Sequence, residues 1–149
     1  MTFVPMGDPQ YLASEEPIPF RREYVGGFAY PLHGSTADTA RTDAAHNLIG
    51  GNIAAALHAP ARLLGLRVSA FTLRLAVQGS GSFFFPDVMV FRQGADDHAQ
   101  DPLVLVEILS DHTVERDRPA KYAAYTHMPT VHAQPCGAHL PHRPPAGTR

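Results

Sequence analysis

The chain is poor in cysteine, tryptophan and charge. It has 149 residues with one cysteine, Cys136, and no tryptophan. A single cysteine excludes an internal disulfide and a zinc site built from several cysteines, and it is typical of a reducing compartment. Charged residues make up 17% of the sequence and the formal net charge is −2, so no basic field indicates nucleic-acid binding. Any such partner must be held by a few local residues.

The sequence also lacks membrane and export signals. The start MTFVPMGDPQ does not follow the basic and then apolar order of a secretion signal. No apolar run approaches the roughly 18 residues of a membrane span. We therefore expect a cytoplasmic protein with no membrane partner. With 149 residues and 44% hydrophobic content, the chain is long enough for one domain with a core and too short for two.

Three segments carry helical signals. Asp8 as N-cap predicts a short helix in DPQYLASEE. Apolar residues recur at helical spacing from Ala44 to His58, which predicts a second helix that Pro60 stops. The segment RPAKYAAYTHM predicts a third helix, with Pro119 in its first turn and Pro129 after its end.

The strand signals lie between and before these helices. FRREYVGGFAYPL predicts a hairpin around Gly26 and Gly27. LRVSAFTLRLAV predicts one long strand whose alternation changes phase near Ala70, as at a β-bulge. FFFPDVMVF and PLVLVEIL predict two further strands, and three successive strands with short connections favour an antiparallel meander.

An acidic residue interrupts each of the last two apolar strands. Asp87 lies in FFFPDVMVF and Glu107 in PLVLVEIL, although burying an unpaired carboxylate costs several kcal/mol or more. If the two strands pair antiparallel, these side chains can face each other. Mg²⁺ is commonly held by one or two carboxylates with water and substrate phosphate. Lys121, from the following helix, could stabilise the charge that develops on a phosphodiester, so the set predicts a metal-dependent nuclease.

The candidates also have purely structural interpretations, and Glu107 can be an exposed residue at a sheet edge. Asp87 follows Pro86 and can accept hydrogen bonds within a turn. Lys121 can be a solvated helix residue, although Tyr125, four positions later, shares its helix face and is an additional candidate. His46 is either a packing histidine or an additional residue lining the cleft.

The segments REYVGG, AHNLIGGNI, FPDVMVF, LVEILS and RPAKYAAY resemble, in this order, the Uma2 family of the PD-(D/E)XK nuclease superfamily. The resemblance covers roughly residues 8 to 130. It implies an α+β (α/β mixed) fold with a restriction-endonuclease-like core, in which helices flank a small mixed β-sheet. It also implies an endonuclease that hydrolyses phosphodiester bonds of DNA with Mg²⁺, for which Mn²⁺ would substitute.

The resemblance assigns roles to individual residues. It implies Asp87 and Glu107 as catalytic metal ligands and Lys121 as the catalytic lysine, and it adds Glu23 in REYVGG as an acid that approaches the metal. The superfamily name places the lysine two residues after the second acid, where this chain has Leu109. As in Uma2-like sequences, the lysine lies on the helix instead.

The composition changes abruptly after Thr130. We expect residues 1–130 to form the Uma2-like domain, incomplete at its C-terminal end through truncation or a shifted reading frame, and residues 131–149 to form a poorly ordered Pro- and His-rich tail. The alternative function is therefore a non-catalytic remnant that binds a partner or forms a homodimer through an exposed sheet edge. A regulatory DNA-binding module is disfavoured because no basic stripe is present.

Overall fold

The computed structural model describes residues 4–15, 21–31, 44–92, 101–108 and 118–131. These residues form three helices and eight strands, which confirms the predicted α+β class. In chain order the elements are β1 (Val4–Pro5), α1 (Asp8–Glu15), β2 (Arg22–Val25), β3 (Phe28–Pro31), α2 (Ala44–Leu63), β4 (Leu66–Ala70), β5 (Leu75–Val77), β6 (Ser82–Phe84), β7 (Val88–Arg92), β8 (Pro102–Val106) and α3 (Arg118–Thr126). None of these helices combines the length and apolar character that crossing a bilayer requires.

The described strands form two antiparallel sheets. The first has the order β1-β3-β2-β6-β5 and the second the order β4-β7-β8. The resemblance implied one small mixed sheet, whereas the described strands form two sheets in which all pairs are antiparallel. Helix α2 packs against β4 and β7.

One hydrophobic core joins the two sheets and α3. It contains Leu75 and Phe84 from the first sheet, Met89 and Leu105 from the second, and Tyr125 from α3. Each of these five residues is at most 2% exposed, so the shared core fixes α3 relative to both sheets.

Helix α1 begins one residue earlier than the capping signal predicted. The carbonyl of Gly7 accepts the bond from Tyr11 N–H, and Gln10 Oε1 accepts the Gly7 N–H at 3.0 Å. Gly7 is therefore the N-cap, with Gln10 at N3 as in a capping box, and Asp8 is the first helical residue.

The predicted hairpin at Gly26 and Gly27 is confirmed. β2 and β3 pair antiparallel on either side of the two glycines, whose φ angles are 59° and 86°. Two successive positive φ values are those of a type I′ turn, which glycine adopts without steric cost.

Helix α2 continues through Pro60, so the prediction that this proline stops the helix is wrong. Proline removes only the bond to the carbonyl of Ala56, which lies on an exposed part of the helix. Ala61 is buried and holds the last turn against the protein. The helix ends instead at Leu63, and Gly65, whose φ of 71° is left-handed, caps its C-terminus.

The phase change near Ala70 is a strand break and not the expected bulge. β4 ends at Ala70, Phe71 has a φ of 59°, and β5 begins at Leu75 in the other sheet. Because a left-handed residue cannot continue a strand, Phe71 moves the chain from the second sheet to the first.

The segment FFFPDVMVF is likewise divided, since β6 ends at Phe84 and β7 begins at Val88 in the second sheet. Asp87 lies in this crossover. The predicted antiparallel pairing of this segment with PLVLVEIL is confirmed, and Val88 lies opposite Val106.

Part of the predicted C-terminal region lies outside the described residues. Val131, the first residue of the predicted tail, is half-buried and packs against the core that contains Tyr125 and Met128. The rest of the tail, residues 132–149, falls outside the described ranges.

Candidate active site

Asp87 and Glu107 lie at the same end of the β7–β8 pair. The pairing of Val88 with Val106 places Asp87 directly before β7 and Glu107 directly after β8. The backbone N–H of Ile108 donates to Asp87 Oδ2 at 2.6 Å, so the segment after β8 stays beside the aspartate. The antiparallel register thus brings together the two acids that the sequence singled out.

Helix α3 brings Lys121 and Tyr125 to Glu107. Lys121 Nζ lies 3.5 Å from Glu107 Oε2, and the Tyr125 hydroxyl donates to Glu107 Oε1 at 2.7 Å. Both residues are buried. Their four-residue spacing places them on one face of the helix, as predicted, and this face covers the carboxylate.

Glu23 joins the cluster from β2 in the first sheet. Its Oε1 lies 2.8 Å from Lys121 Nζ and accepts the backbone N–H of Phe85 at 3.1 Å. Phe85 is in the crossover that leads to Asp87. The buried glutamate therefore connects the crossover to α3, and its contact with Lys121 is shorter than that of Glu107.

His46 reaches the site from α2. Its Nε2 lies 2.9 Å from Asp87 Oδ1, and the side chain is buried. The structure thus brings together all six residues that sequence reasoning named, from five different segments of the fold: Asp87, Glu107, Lys121, Glu23, His46 and Tyr125.

Carboxylates outnumber the cation in this cluster. Burial, the largest cause, raises the pKa of Glu107 from 4.5 to about 7. Lys121 and the Tyr125 hydroxyl act in the opposite direction, while the charges of Asp87 and Glu23 raise this pKa further. Burial, together with the neighbouring acids, also raises the pKa of Tyr125 well above its ordinary value, so its hydroxyl stays protonated and donates.

The donor chemistry of the two strand-end acids fits a hard divalent cation. Each oxygen of Asp87 and Glu107 accepts one of the contacts above, and a carboxylate oxygen can accept a second. Within the described ranges, no group of three or more histidine, cysteine or acidic side chains has the arrangement of a metal site. The protein would therefore supply two carboxylates and leave other positions to water and phosphate, as Mg²⁺ sites commonly do.

Sequence reasoning missed the backbone groups that hold Asp87. The N–H of Phe71 donates to the Asp87 carbonyl at 2.9 Å, and the N–H of Ile108 donates to the Asp87 side chain. The phase change near Ala70 was the nearest signal for Phe71. No sequence pattern identifies Ile108, because its N–H depends on the strand register and not on its side chain.

Two comparisons relate the chain to known proteins. The model of the Uma2 family, described as "Putative restriction endonuclease", matches residues 9–133. The chain is also similar to "Uncharacterized protein sll1609" of Synechocystis sp. (strain ATCC 27184 / PCC 6803 / Kazusa), with 25% identity over 128 residues. That alignment covers 82% of this chain and 68% of the Synechocystis protein.

Proposed function

Since the chain belongs to the Uma2 family, we propose that it is a cytoplasmic, Mg²⁺-dependent endonuclease that hydrolyses phosphodiester bonds of DNA, with Mn²⁺ as a substitute. One observation carries the proposal. Asp87, Glu107 and Lys121, the three residues that the sequence analysis proposed as the catalytic set, converge where the β7–β8 pair meets α3.

Asp87 and Glu107 are the residues that would hold the cation. A bound divalent cation lowers the pKa of an attacking water and offsets charge on the phosphate. The two carboxylates are held by different elements, Asp87 by His46 and the Ile108 N–H, and Glu107 by α3. Such fixed ligands orient the reaction without rearrangement during the chemical step.

Lys121 is the proposed catalytic cation. Its ammonium lies 2.8 Å from Glu23 and 3.5 Å from Glu107, so it is fixed beside the proposed ligands. A buried, oriented positive charge stabilises the negative charge that develops on the phosphoryl oxygens. Glu23 acts in this proposal by positioning Lys121 rather than by binding the metal.

DNA binding needs positive groups near this acidic cluster. Arg21 is exposed, its guanidinium lies 5.4 Å from the centre of the Phe85 ring, and its Nη1 contacts the Phe71 carbonyl. Phe85 and Phe71 both adjoin Asp87 in the structure. Arg21 is therefore the arginine we propose to contact a backbone phosphate.

A plasmid-nicking assay tests the activity. The wild type should nick supercoiled DNA with Mg²⁺ or Mn²⁺ and not with a chelator, and Asp87→Asn and Glu107→Gln should be inactive. The nicking rate of Lys121→Met should be lower by about a hundredfold or more, which is the usual effect of removing one contact to the transition-state charge. Asp101→Asn changes an exposed acid just before β8 and should retain full activity. Cleavage by Asp87→Asn at the wild-type rate would exclude the proposed site.

A second candidate is a non-catalytic module of the nuclease fold that binds a partner or dimerises. Large apolar side chains on and just after α2 support it, because Leu48 is 66% exposed, Leu63 88% and Leu64 75%. Sedimentation velocity of the wild type and of Leu63→Gln tests it. A concentration-dependent dimer that this substitution weakens, together with no metal-dependent cleavage, would favour the module over the enzyme.

A further inference from the structure

His46 belongs to a different layer of the fold from the residue it contacts. It lies in the first turn of α2, which packs on β4 and β7 of the second sheet. The side chain is 8% exposed, and its Nε2 is 2.9 Å from Asp87 Oδ1. In the ionised form that would bind a cation, the Asp87 carboxylate has no hydrogen to donate, so His46 Nε2 is then the donor of this bond.

The position of the His46 ring is fixed by Phe71 and Gly50. The centroids of the His46 and Phe71 rings lie 5.7 Å apart, and the ring planes are tilted by 42°. Gly50 lies one turn after His46. A Cβ at this position would clash with the Phe71 ring, since it would lie well within van der Waals contact distance. The glycine therefore allows α2 to approach closely enough for His46 to reach Asp87.

Phe71 holds the main chain of the same aspartate. Its N–H donates to the Asp87 carbonyl at 2.9 Å, from a residue whose φ of 59° costs a non-glycine residue about 1–2 kcal/mol. One residue thus orients both the backbone of Asp87 and the ring that bonds its side chain. The surrounding packing compensates for this backbone conformation.

Both oxygens of Asp87 are consequently held. His46, in α2, donates to Oδ1, and the N–H of Ile108, which follows β8, donates to Oδ2. These two bonds fix the rotation of the carboxylate about its Cβ–Cγ bond and leave one lone pair on each oxygen. A carboxylate held in this way pays less entropy when it binds a cation.

We propose that His46 is a positioning residue, whose Nε2–H holds the Asp87 carboxylate in the orientation that binds a divalent cation. The inference rests on the proposed function, because it takes Asp87 as a metal ligand. His46 does not ligate the cation in this proposal. Loss of an outer hydrogen bond to a ligand commonly weakens metal binding by 10–100-fold.

The test is calorimetric titration of the metal-free proteins with Mn²⁺ and Mg²⁺ at fixed pH. His46→Leu removes the donor at similar volume and should weaken Mn²⁺ binding by about 10–100-fold. His46→Gln places an amide N–H near the position of Nε2 and should bind within a few fold of the wild type. His58→Leu, at an exposed histidine of the same helix, should bind as the wild type does, and Asp87→Asn should not bind.

The possible results separate the two proposals. If His46→Leu binds Mn²⁺ as the wild type does while Asp87→Asn does not, His46 only packs and the proposed metal site stands. If Asp87→Asn binds as the wild type does, or the wild type binds no metal, the ligand role of Asp87 and the role of His46 both fall. A lower unfolding free energy without metal and an unchanged Kd would also indicate packing alone. If His46→Leu does not fold, His46→Asn, whose amide is too short to reach Oδ1, replaces it with the same expected loss.

Discussion

Tyr125 donates its hydroxyl to Glu107 at 2.7 Å, from the same face of α3 that presents Lys121 to the other oxygen of this carboxylate. One helix therefore holds both oxygens of the largely buried Glu107 carboxylate, whose side chain is 17% exposed. Tyr125 also belongs to the core that joins the two sheets. Packing and the geometry of the site thus depend on a single side chain.

Tyr125→Phe should destabilise the protein by about 1.5–3 kcal/mol, because it removes a hydrogen bond to a buried charged group and leaves the ring in place. Urea unfolding at pH 8 measures this loss. Tyr122→Phe is the matched control, since Tyr122 lies on the same helix and is 49% exposed. A loss in the control as large as in Tyr125→Phe would show that the bond to Glu107 contributes nothing specific.

The raised pKa of Glu107 makes the stability of the metal-free protein depend on pH. Burial raises this pKa in the folded protein to about 7 from the ordinary 4.5, so the folded state binds more protons between these values. The contribution of Glu107 to the unfolding free energy is fully present below pH 4.5 and is lost as pH rises through about 7. Over this range the unfolding free energy falls by at most about 1.4 kcal/mol per pH unit.

Urea unfolding of the wild type and Glu107→Gln from pH 4.5 to 8 measures this effect. The difference in unfolding free energy between the two proteins should change by the predicted slope and become constant above about pH 8, because glutamine does not titrate. A difference that is independent of pH throughout this range would contradict the raised pKa.

The adjacent glycines of α2 should respond oppositely to alanine. Gly50→Ala places a methyl group against the Phe71 ring, so we expect the unfolding free energy to fall by about 1–3 kcal/mol despite the better helix propensity of alanine. The methyl group of Gly51→Ala points into open space, so the unfolding free energy should rise by up to about 1 kcal/mol. Thermal unfolding of both variants tests the close approach of α2, and equal effects would contradict it.

Arg21→Gln should weaken DNA binding more at low salt than at high salt. Loss of one phosphate contact reduces the slope of log K against log salt by about 0.9. Fluorescence anisotropy with a catalytically inactive background, Glu107→Gln, measures this slope in Ca²⁺ buffer. Arg62→Gln removes an exposed charge from the last turn of α2 and should leave the slope near the wild-type value.

Local patterns were sufficient to predict several elements. The Gly26–Gly27 hairpin follows from turn chemistry, and α1 and α3 follow from proline positions and helical spacing. The facing of Asp87 and Glu107 also followed from sequence, because antiparallel pairing of neighbouring strands places the start of one beside the end of the next.

Other features depended on contacts that no local pattern contains. Pro60 remains helical because the buried Ala61 and the cap at Gly65 determine where α2 ends. The break at Phe71 arises because the chain changes sheets, and its left-handed backbone is stabilised by the bond to the Asp87 carbonyl. In both cases tertiary packing outweighs local preference.

The sequence by itself determined the candidate acids, the lysine that follows them on α3, and the expectation that antiparallel pairing would make the acids neighbours. Only the tertiary structure decided how they are held. His46 bonds Asp87 across 41 positions and Glu23 bonds the Phe85 N–H across 62. Bonds between residues so far apart in the chain depend on how both sheets and α2 pack, because the sequence around each residue does not specify where its partner lies.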